Sequence, residues 1–371
     1  MKVIISIPCL LTGGTEIQTL NLVHALISGG HQVTTVCYFE HTDRMIQNYR
    51  QAGSDVILLS KEGTRVLGWK VIPFLWKGLR NAVKKIQPDV VHVQYMAPGA
   101  IPIVLLKMMG VKTILATAHT AADIYPSLKL VHFIQRHCVK AFTCITERAE
   151  QSFFGSSKLY SDEYILQEHN HFTIYNALPS YIQIRKDQKS FNQERMTIGV
   201  VSRLEPIKGM DLIIPAFAKV KENFPDARLL IVGDGSLKEL MHKQAEDLQL
   251  MESIEWAGRQ GQDTIQSYYD KIDILCMPSR SEGFGLTAIE GMARGCVVVA
   301  SDVGGLPEVV LNGKVGLLHK SENIGVLADK IELLLEKKSL MEEMSRRAIV
   351  HASTFSIHIF NKIINKIYTQ L

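Results

Sequence analysis

The chain is poor in the features that would set it apart from ordinary globular proteins. It has no run of about eighteen uncharged apolar residues, so no membrane-spanning helix is expected. Lys and Arg number 41 against 37 Asp and Glu, and a formal charge of +4 spread over 371 residues gives no basic field suited to nucleic acid. Any basic patch must be local. The six cysteines (Cys9, Cys37, Cys138, Cys144, Cys276, Cys296) contain no Cys-x-x-Cys pair and mostly sit in apolar runs. They read as small core residues in a reducing compartment, not as a disulfide framework. No low-complexity tract and no solenoid-length repeat is present, and 46% hydrophobic with 21% charged residues excludes wholesale disorder. Lys2 followed by apolar Val3 to Leu11 imitates a signal peptide. No small-residue cleavage site follows, and Thr12-Gly13-Gly14 leads directly into a helical pattern, so a cytoplasmic protein is expected.

What is present is alternation. Short runs rich in Val and Ile alternate with segments of helical period, the mark of βαβ units around parallel sheets. The first half predicts strands at Val3–Pro8, Val33–Tyr38, Val56–Leu59, Val90–Val93, Thr113–Ala116 and Phe142–Ile145, with a helix Thr15–Ser28 stopped at Gly29-Gly30. The second half predicts Met196–Val201, Leu229–Val232, Ser253–Trp256, Ile272–Met277 and Val297–Ala300. Between them, the polar stretch Arg185 to Ser190 has no core-facing period and reads as the linker. The length exceeds what one core usually fills. The expectation is an α/β chain of two doubly wound Rossmann-like domains facing across a cleft, residues 1–180 and 181–354. A C-terminal helix, 355–371, would pack back at the domain junction with Phe355, Ile359, Ile363 and Ile367 as its apolar stripe and Phe360, Ile364 and Tyr368 beside it.

The most informative stretch is Pro278-Ser-Arg-Ser-Glu282-Gly283-Phe284-Gly285-Leu286-Thr-Ala-Ile-Glu290-Gly. It follows a strand and opens a helix, which places Glu282, Gly283 and Gly285 at the carboxyl end of the sheet, where open α/β sheets bind ligands. Free N–H groups at a helix start suit a phosphate, and the glycines allow close approach. Glu282 can accept from sugar hydroxyls, and Glu290 can hold a ribose. Taken alone, the stretch is equally a turn with a helix-start carboxylate. Arg203 and Lys208, in Ser202-Arg-Leu-Glu-Pro-Ile-Lys208-Gly209, follow the first strand of the same half and would bring two cations beside a diphosphate. Either one singly reads as a surface charge; together with the glutamate loop they make a constellation.

Ser-Arg-Leu-x-x-x-Lys-Gly at 202 to 209, followed by Glu282-Gly-Phe-Gly and Glu290, resembles the paired-glutamate motif of retaining glycosyltransferases of family 4, the glycosyl transferases group 1. Gly233-Asp-Gly, Ala300 to Glu308, Asn312-Gly313, Gly13-Gly14-Thr-Glu16 and Tyr175-Asn176-Ala177 fit as well, so the resemblance covers essentially the whole chain. It implies a GT-B architecture and a nucleotide-sugar donor, UDP- or GDP-linked. The acceptor would be a saccharide or lipid-linked saccharide of bacterial surface polysaccharide or glycolipid synthesis. It also implies a donor-sugar contact by His119, after the strand Thr113–Ala116. Thr120 follows where the family often has an acidic residue or glycine, which leaves a compensating role for Asp123 in doubt. Arg203, Lys208, Glu282 and His119 form the expected catalytic set. Gly13, Gly14, Asn176, Gly233, Arg259, Gly283, Phe284, Gly285, Leu286 and Glu290 complete the substrate-binding set.

The glycines after the first strand lack the Gly-x-Gly-x-x-Gly order, which removes the main support for nicotinamide chemistry. No Asp-x-Asp motif is present, and the His169-Asn-His171 pair lacks a third ligand nearby. No metal and no cofactor is expected, with Arg203 and Lys208 replacing the cation. The departing diphosphate would be stabilised by these cations and by the helix start near Gly285, and its own oxygen would take the acceptor's proton, so no protein nucleophile is assigned. A projected helix within Lys61 to Lys85 carries Lys70, Lys77, Arg80, Lys84 and Lys85 on one side. Ile72, Trp76, Leu79, Val83 and Ile86 fall on the other, with Trp69 and Phe74 off the stripe. It is either a solvated face or a dock for an anionic membrane surface. Three other readings stay open: a nucleotide-sugar epimerase of the same architecture, a glycosidase using Glu282 and Glu290, which leaves the cations unexplained, and a catalytically silent nucleotide-sugar-binding subunit.

Overall fold

The computed structural model describes all residues except 95, 121–126, 162–169 and 193–194, together with the side chains of 96–99. The chain divides into two compact units, one formed by Met1–Pro179 with Ile357–Leu371, the other by Ser180–Ser356.

The first unit runs β1 Lys2–Ile7, α1 Gly14–Ser28, β2 Gln32–Cys37, α2 Asp43–Gln51, β3 Asp55–Leu58, α3 Val71–Ile86, β4 Val90–Gln94, α4 Met96–Met108, β5 Ile114–Ala118, α5 Leu128–His137, β6 Ala141–Cys144, α6 Glu147–Phe154 and β7 His171–Thr173. Its strands are parallel in the order β3-β2-β1-β4-β5-β6-β7. The second unit runs β8 Thr197–Val201, α7 Ile213–Asn223, β9 Arg228–Val232, α8 Lys238–Asp247, β10 Ile254–Gly258, α9 Ile265–Lys271, β11 Ile274–Met277, α10 Leu286–Ala293, β12 Val297–Ser301, α11 Leu306–Val310, β13 Gly316–His319, α12 Ile324–Glu336 and α13 Lys338–Ser353. Its parallel order is β10-β9-β8-β11-β12-β13. Strands buried on both faces need continuous apolar runs, and β4, β11 and β12 are buried at every position.

Both sheets are doubly wound, as expected. In each, the order reverses beside the first strand, between β1 and β4 and between β8 and β11. That reversal opens a crevice at the strands' carboxyl ends. The short strands β7 and β13 were not anticipated. β7 is three residues of mixed polarity and β13 is four, too little sequence to show a period.

Three other expectations change. The stretch read as a linker belongs to the second unit: Lys189 is buried, and its ammonium donates to the carbonyls of Asp270 (3.0 Å) and Ile272, 3.8 Å from Asp273. A lysine capping carbonyls by its tip has no apolar period to betray it. The helix α3 is rotated from its projection. Leu75, Leu79 and Ala82 face inward, Trp76, Val83 and Ile86 are half-buried, and Ile72 is exposed. Gly78 lies close to Leu59, whose side-chain tip would be 2.6 Å from a Cβ at that position. The last helix, α14 Ile357–Thr369, packs back onto the first unit as expected, against α1, but its apolar stripe is Phe360, Ile364, Ile367 and Tyr368. Ile359 is 42% exposed, and Phe355 belongs to the second unit, edge-on to Phe284.

Candidate active site

In the second unit, four strand-end loops nest at the crevice beside β8 and β11. The loop after β8 turns through the 3-10 segment Pro206–Lys208, and its Ile207 carbonyl accepts from the Arg280 amide at 2.9 Å. This brings the Lys208 ammonium 2.6 Å from the Glu282 carboxylate. The pair is half-buried, and the ammonium keeps further donors for an anion. Arg203 lies five positions earlier in the same loop, exposed at the end of β8 and close enough to Glu205 to lower that carboxyl's pKa, after the larger pull of the Ser236 hydrogen bonds. Two glycines make the nesting feasible. At Gly233 (φ 145°) a Cβ would lie 1.8 Å from the Ser202 oxygen, and at Gly304 (φ 53°) 1.6 Å from the Glu282 oxygen.

The helix α10 starts at Leu286 directly after Gly285, which has no side chain to cap it, so the first amides of the helix remain available to an oxyanion. Gly283 and Leu286 are part-exposed at this start. Phe284 is buried, with its ring edge-on to Phe355. Arg259 is exposed just beyond the edge strand β10, at the same end of the sheet. Arg280, between the motif residues, does not serve the site. It forks onto Asp211 at 2.7 and 2.8 Å and reaches Glu322, tying the loop in place.

Glu290, on the inward side of α10, is 7% exposed. Its oxygens accept from the Tyr181 hydroxyl at 3.1 Å and the Tyr269 hydroxyl at 2.5 Å. Burial pushes its carboxyl up to about 7, and the two phenols pull in the opposite direction. Neither tyrosine was anticipated. They lie 109 and 21 positions away from Glu290, and no local spacing connects them.

In the first unit, Gly13 is the residue before α1 and Gly14 is the first residue of that helix, at the end of the loop after β1. His119 follows β5, and its Nε2 lies 2.9 Å from Oε1 of Gln94 at the end of β4. Both are buried, and burial holds the His119 ring down to about 3, so it is neutral throughout the physiological range. His92, one layer deeper, bridges the Tyr368 hydroxyl of α14 (2.9 Å) and the Thr117 hydroxyl (2.8 Å). A small cavity of about 30 Å³ lies among Gln94, His119, Asn176, Gln18 and the α14 residues Phe360 and Ile364. Asn176 is a wall of this cavity, not a surface residue. Asp123 and His169 lie outside the described residues. His171 bonds Glu150 at 2.7 Å and stacks on Phe154, which gives it a structural partner.

Two parallel-sheet units of Rossmann type, each with its polar groups at a switch-point crevice, define the GT-B glycosyltransferase fold. Solved structures with this fold include HepE from Anabaena in complex with UDP (TM-score 0.80, 19% identity, all of both chains) and a glycosyltransferase from Rickettsia africae (TM-score 0.79, 20% identity, 99% of this chain and 97% of that one). The family description "Glycosyl transferases group 1" matches residues 182–351, and "Glycosyltransferase Family 4" matches residues 12–154. The chain belongs to this family of glycosyltransferases. Over 165 residues it is 35% identical to a D-inositol 3-phosphate glycosyltransferase from Corynebacterium aurimucosum, which covers 43% of this chain and 39% of that protein. It is 27% identical over 302 residues to an uncharacterized glycosyltransferase from Methanocaldococcus jannaschii, 79% of this chain and 78% of that one.

Proposed function

We propose that the protein is a retaining glycosyltransferase that needs no metal ion and moves a sugar from a UDP- or GDP-sugar onto an acceptor hydroxyl. The observation that carries this reading is the junction of the β8 and β11 loops. There Lys208 and Glu282 are in contact, Arg203 shares the loop and the uncapped start of α10 adjoins. Two permanent cations and a helix start suit a departing diphosphate. As the bond from the anomeric carbon to the diphosphate breaks, the acceptor oxygen bonds to the same face and its proton passes to a phosphate oxygen. Arg203, Lys208 and the α10 amides stabilise the charge that develops. Glu282 accepts from the sugar hydroxyls, Glu290 from the ribose, and neutral His119 contacts the donor sugar. Gly13, Gly14, Asn176, Gly233, Arg259, Gly283, Phe284, Gly285 and Leu286 complete the binding set. The complex of HepE with UDP-glucose supports a nucleotide-sugar donor.

The acceptor in this proposal is a growing bacterial surface polysaccharide or a lipid-linked glycan, met at the inner face of the cytoplasmic membrane. Support comes from α3, which carries Lys77, Arg80, Lys84 and Lys85 exposed and no acidic residue, and is preceded by exposed Leu67, Trp69 and Lys70. No helix among the described residues is long and apolar enough to cross a membrane. A thermal-shift screen of UDP- and GDP-sugars, followed by NMR of the product anomer, tests the proposal. Stabilisation by one nucleotide series and retention of the anomer are expected. An inverted product refutes the mechanism, and binding without turnover points to a nucleotide-sugar-binding subunit instead.

A further inference from the structure

Glu290 presents an unusual electrostatic problem. Among the described residues it has no cationic partner, yet it is buried. A carboxylate removed from water without an ion pair is costly to ionise, and a protonated one presents a hydrogen to its neighbours instead of accepting from them. The two tyrosines answer this. Each phenol donates to a different carboxylate oxygen, which favours the ionised form without cancelling its charge. An ionised carboxylate offers about four lone-pair sites, and the phenols occupy two. Their donation also fixes the plane of the group, so the remaining sites point in a set direction.

Both phenols are held in place. Tyr181 is the second residue of the second unit, and its neighbouring segment is pinned by the Gln183 amide, which donates to the Gln266 side chain at 2.7 Å. Tyr269 is fully buried in α9, and its carbonyl accepts from Cys296 Sγ at 3.2 Å and from Lys189 Nζ at 3.5 Å. The other titratable groups around this cluster are Cys296, against the Tyr269 carbonyl, Asp270, paired with Arg294 and Arg185, and Asp273, beside Lys189. None of these reaches the Glu290 carboxylate.

We propose that Tyr181 and Tyr269 are positioning residues that aim an ionised Glu290 carboxylate at the vicinal 2′,3′-diol of the donor's ribose. The proposal rests on the reading of Glu290 as the ribose acceptor. A diol offers two hydroxyl donors, and a carboxylate whose remaining lone pairs are aligned by two fixed phenols matches that geometry. Removing a phenol frees the carboxylate to rotate and makes its ionisation harder. Donor binding therefore weakens most on the acid side, and the acid limb of the binding profile moves to higher pH.

The test compares wild type, Tyr181→Phe, Tyr269→Phe and Glu290→Ala in the full chain. Calorimetry measures binding of UDP against 2′-deoxy-UDP from pH 6 to 9, or GDP against 2′-deoxy-GDP if guanosine is the preferred base. Wild type should favour the ribonucleotide. Each phenylalanine variant should bind it about tenfold more weakly, with the ribo-to-deoxy ratio falling toward one and the acid limb shifted upward. If Tyr269→Phe does not fold, Tyr181→Phe, at the rim of the cluster, carries the test. Equal binding of ribo and deoxy forms by wild type refutes the ribose reading and the proposal with it, as does failure to bind any of the four nucleotides. A ratio lost in Glu290→Ala but kept in both phenylalanine variants leaves the ribose reading standing and overturns the positioning role.

Discussion

Replacing His92 by Gln removes a titratable ring from the middle of the first sheet while leaving an amide able to reach Tyr368 and Thr117. The His92 ring is buried, and burial, with a smaller contribution from His119, holds its pKa down to about 3. A folded-state pKa below the ordinary 6.5 means that the unfolded chain binds the proton first as acid is added. The stabilisation is complete above pH 6.5 and is lost progressively as pH falls toward 3. At pH 5, which is about 1.5 units below the unfolded value, the loss is about 2 kcal/mol for His92 and about as much for His119, whose ring is lowered to the same extent. These two rings should therefore cost wild type about 4 kcal/mol in the first unit between pH 8 and pH 5, and His92→Gln about half of that from the remaining ring. Urea unfolding at the two pH values, read by hydrogen-exchange protection of β4 and β5 peptides after correction for intrinsic rates, reports on that unit specifically. The reasoning is refuted if His92→Gln shows the same pH slope as wild type.

Arg203→Ala should remove about 2 to 4 kcal/mol of transition-state stabilisation, a fall in kcat of roughly 30- to 1,000-fold with the donor KM changed far less, and near-normal turnover would disprove its role. Gly304→Ala forces a side chain into left-handed backbone and against the Glu282 carbonyl. The conformation alone costs about 1–2 kcal/mol. A lower melting temperature and weakened donor binding are expected together, and an unchanged donor affinity would show that the loop adapts. Lys84→Glu with Lys85→Glu should abolish flotation with anionic vesicles while leaving soluble-acceptor turnover intact. Wild-type protein that shows no preference for anionic over neutral vesicles would end the membrane reading.

The strands were legible in the sequence wherever a buried run was long enough to show itself, and eleven of them appear near their expected places. β7 and β13 escaped because three or four residues paired on one edge carry no period. The rotation of α3 escaped for a different reason: the helix carries two overlapping apolar stripes, and which of them faces inward, here Leu75, Leu79 and Ala82, is settled by packing and not by period. The adjacency of the Lys208 and Glu282 loops was readable because the doubly wound order that the resemblance implies sets β8 beside β11, which puts the loops at their carboxyl ends side by side. The tyrosines on Glu290 and the glutamine on His119 were not readable, since each contact joins segments whose proximity only packing creates.

Because α14 belongs with the first 179 residues, the first unit is assembled from both ends of its sequence, whereas the second is drawn from one uninterrupted stretch. During synthesis the later unit can therefore finish its sheet while the earlier one still waits for the helix that covers α1 and hands a phenol to His92. The order of completion runs opposite to the order of emergence, and until residues 357–371 emerge one apolar flank of the older half stays uncovered, where a chaperone would find it.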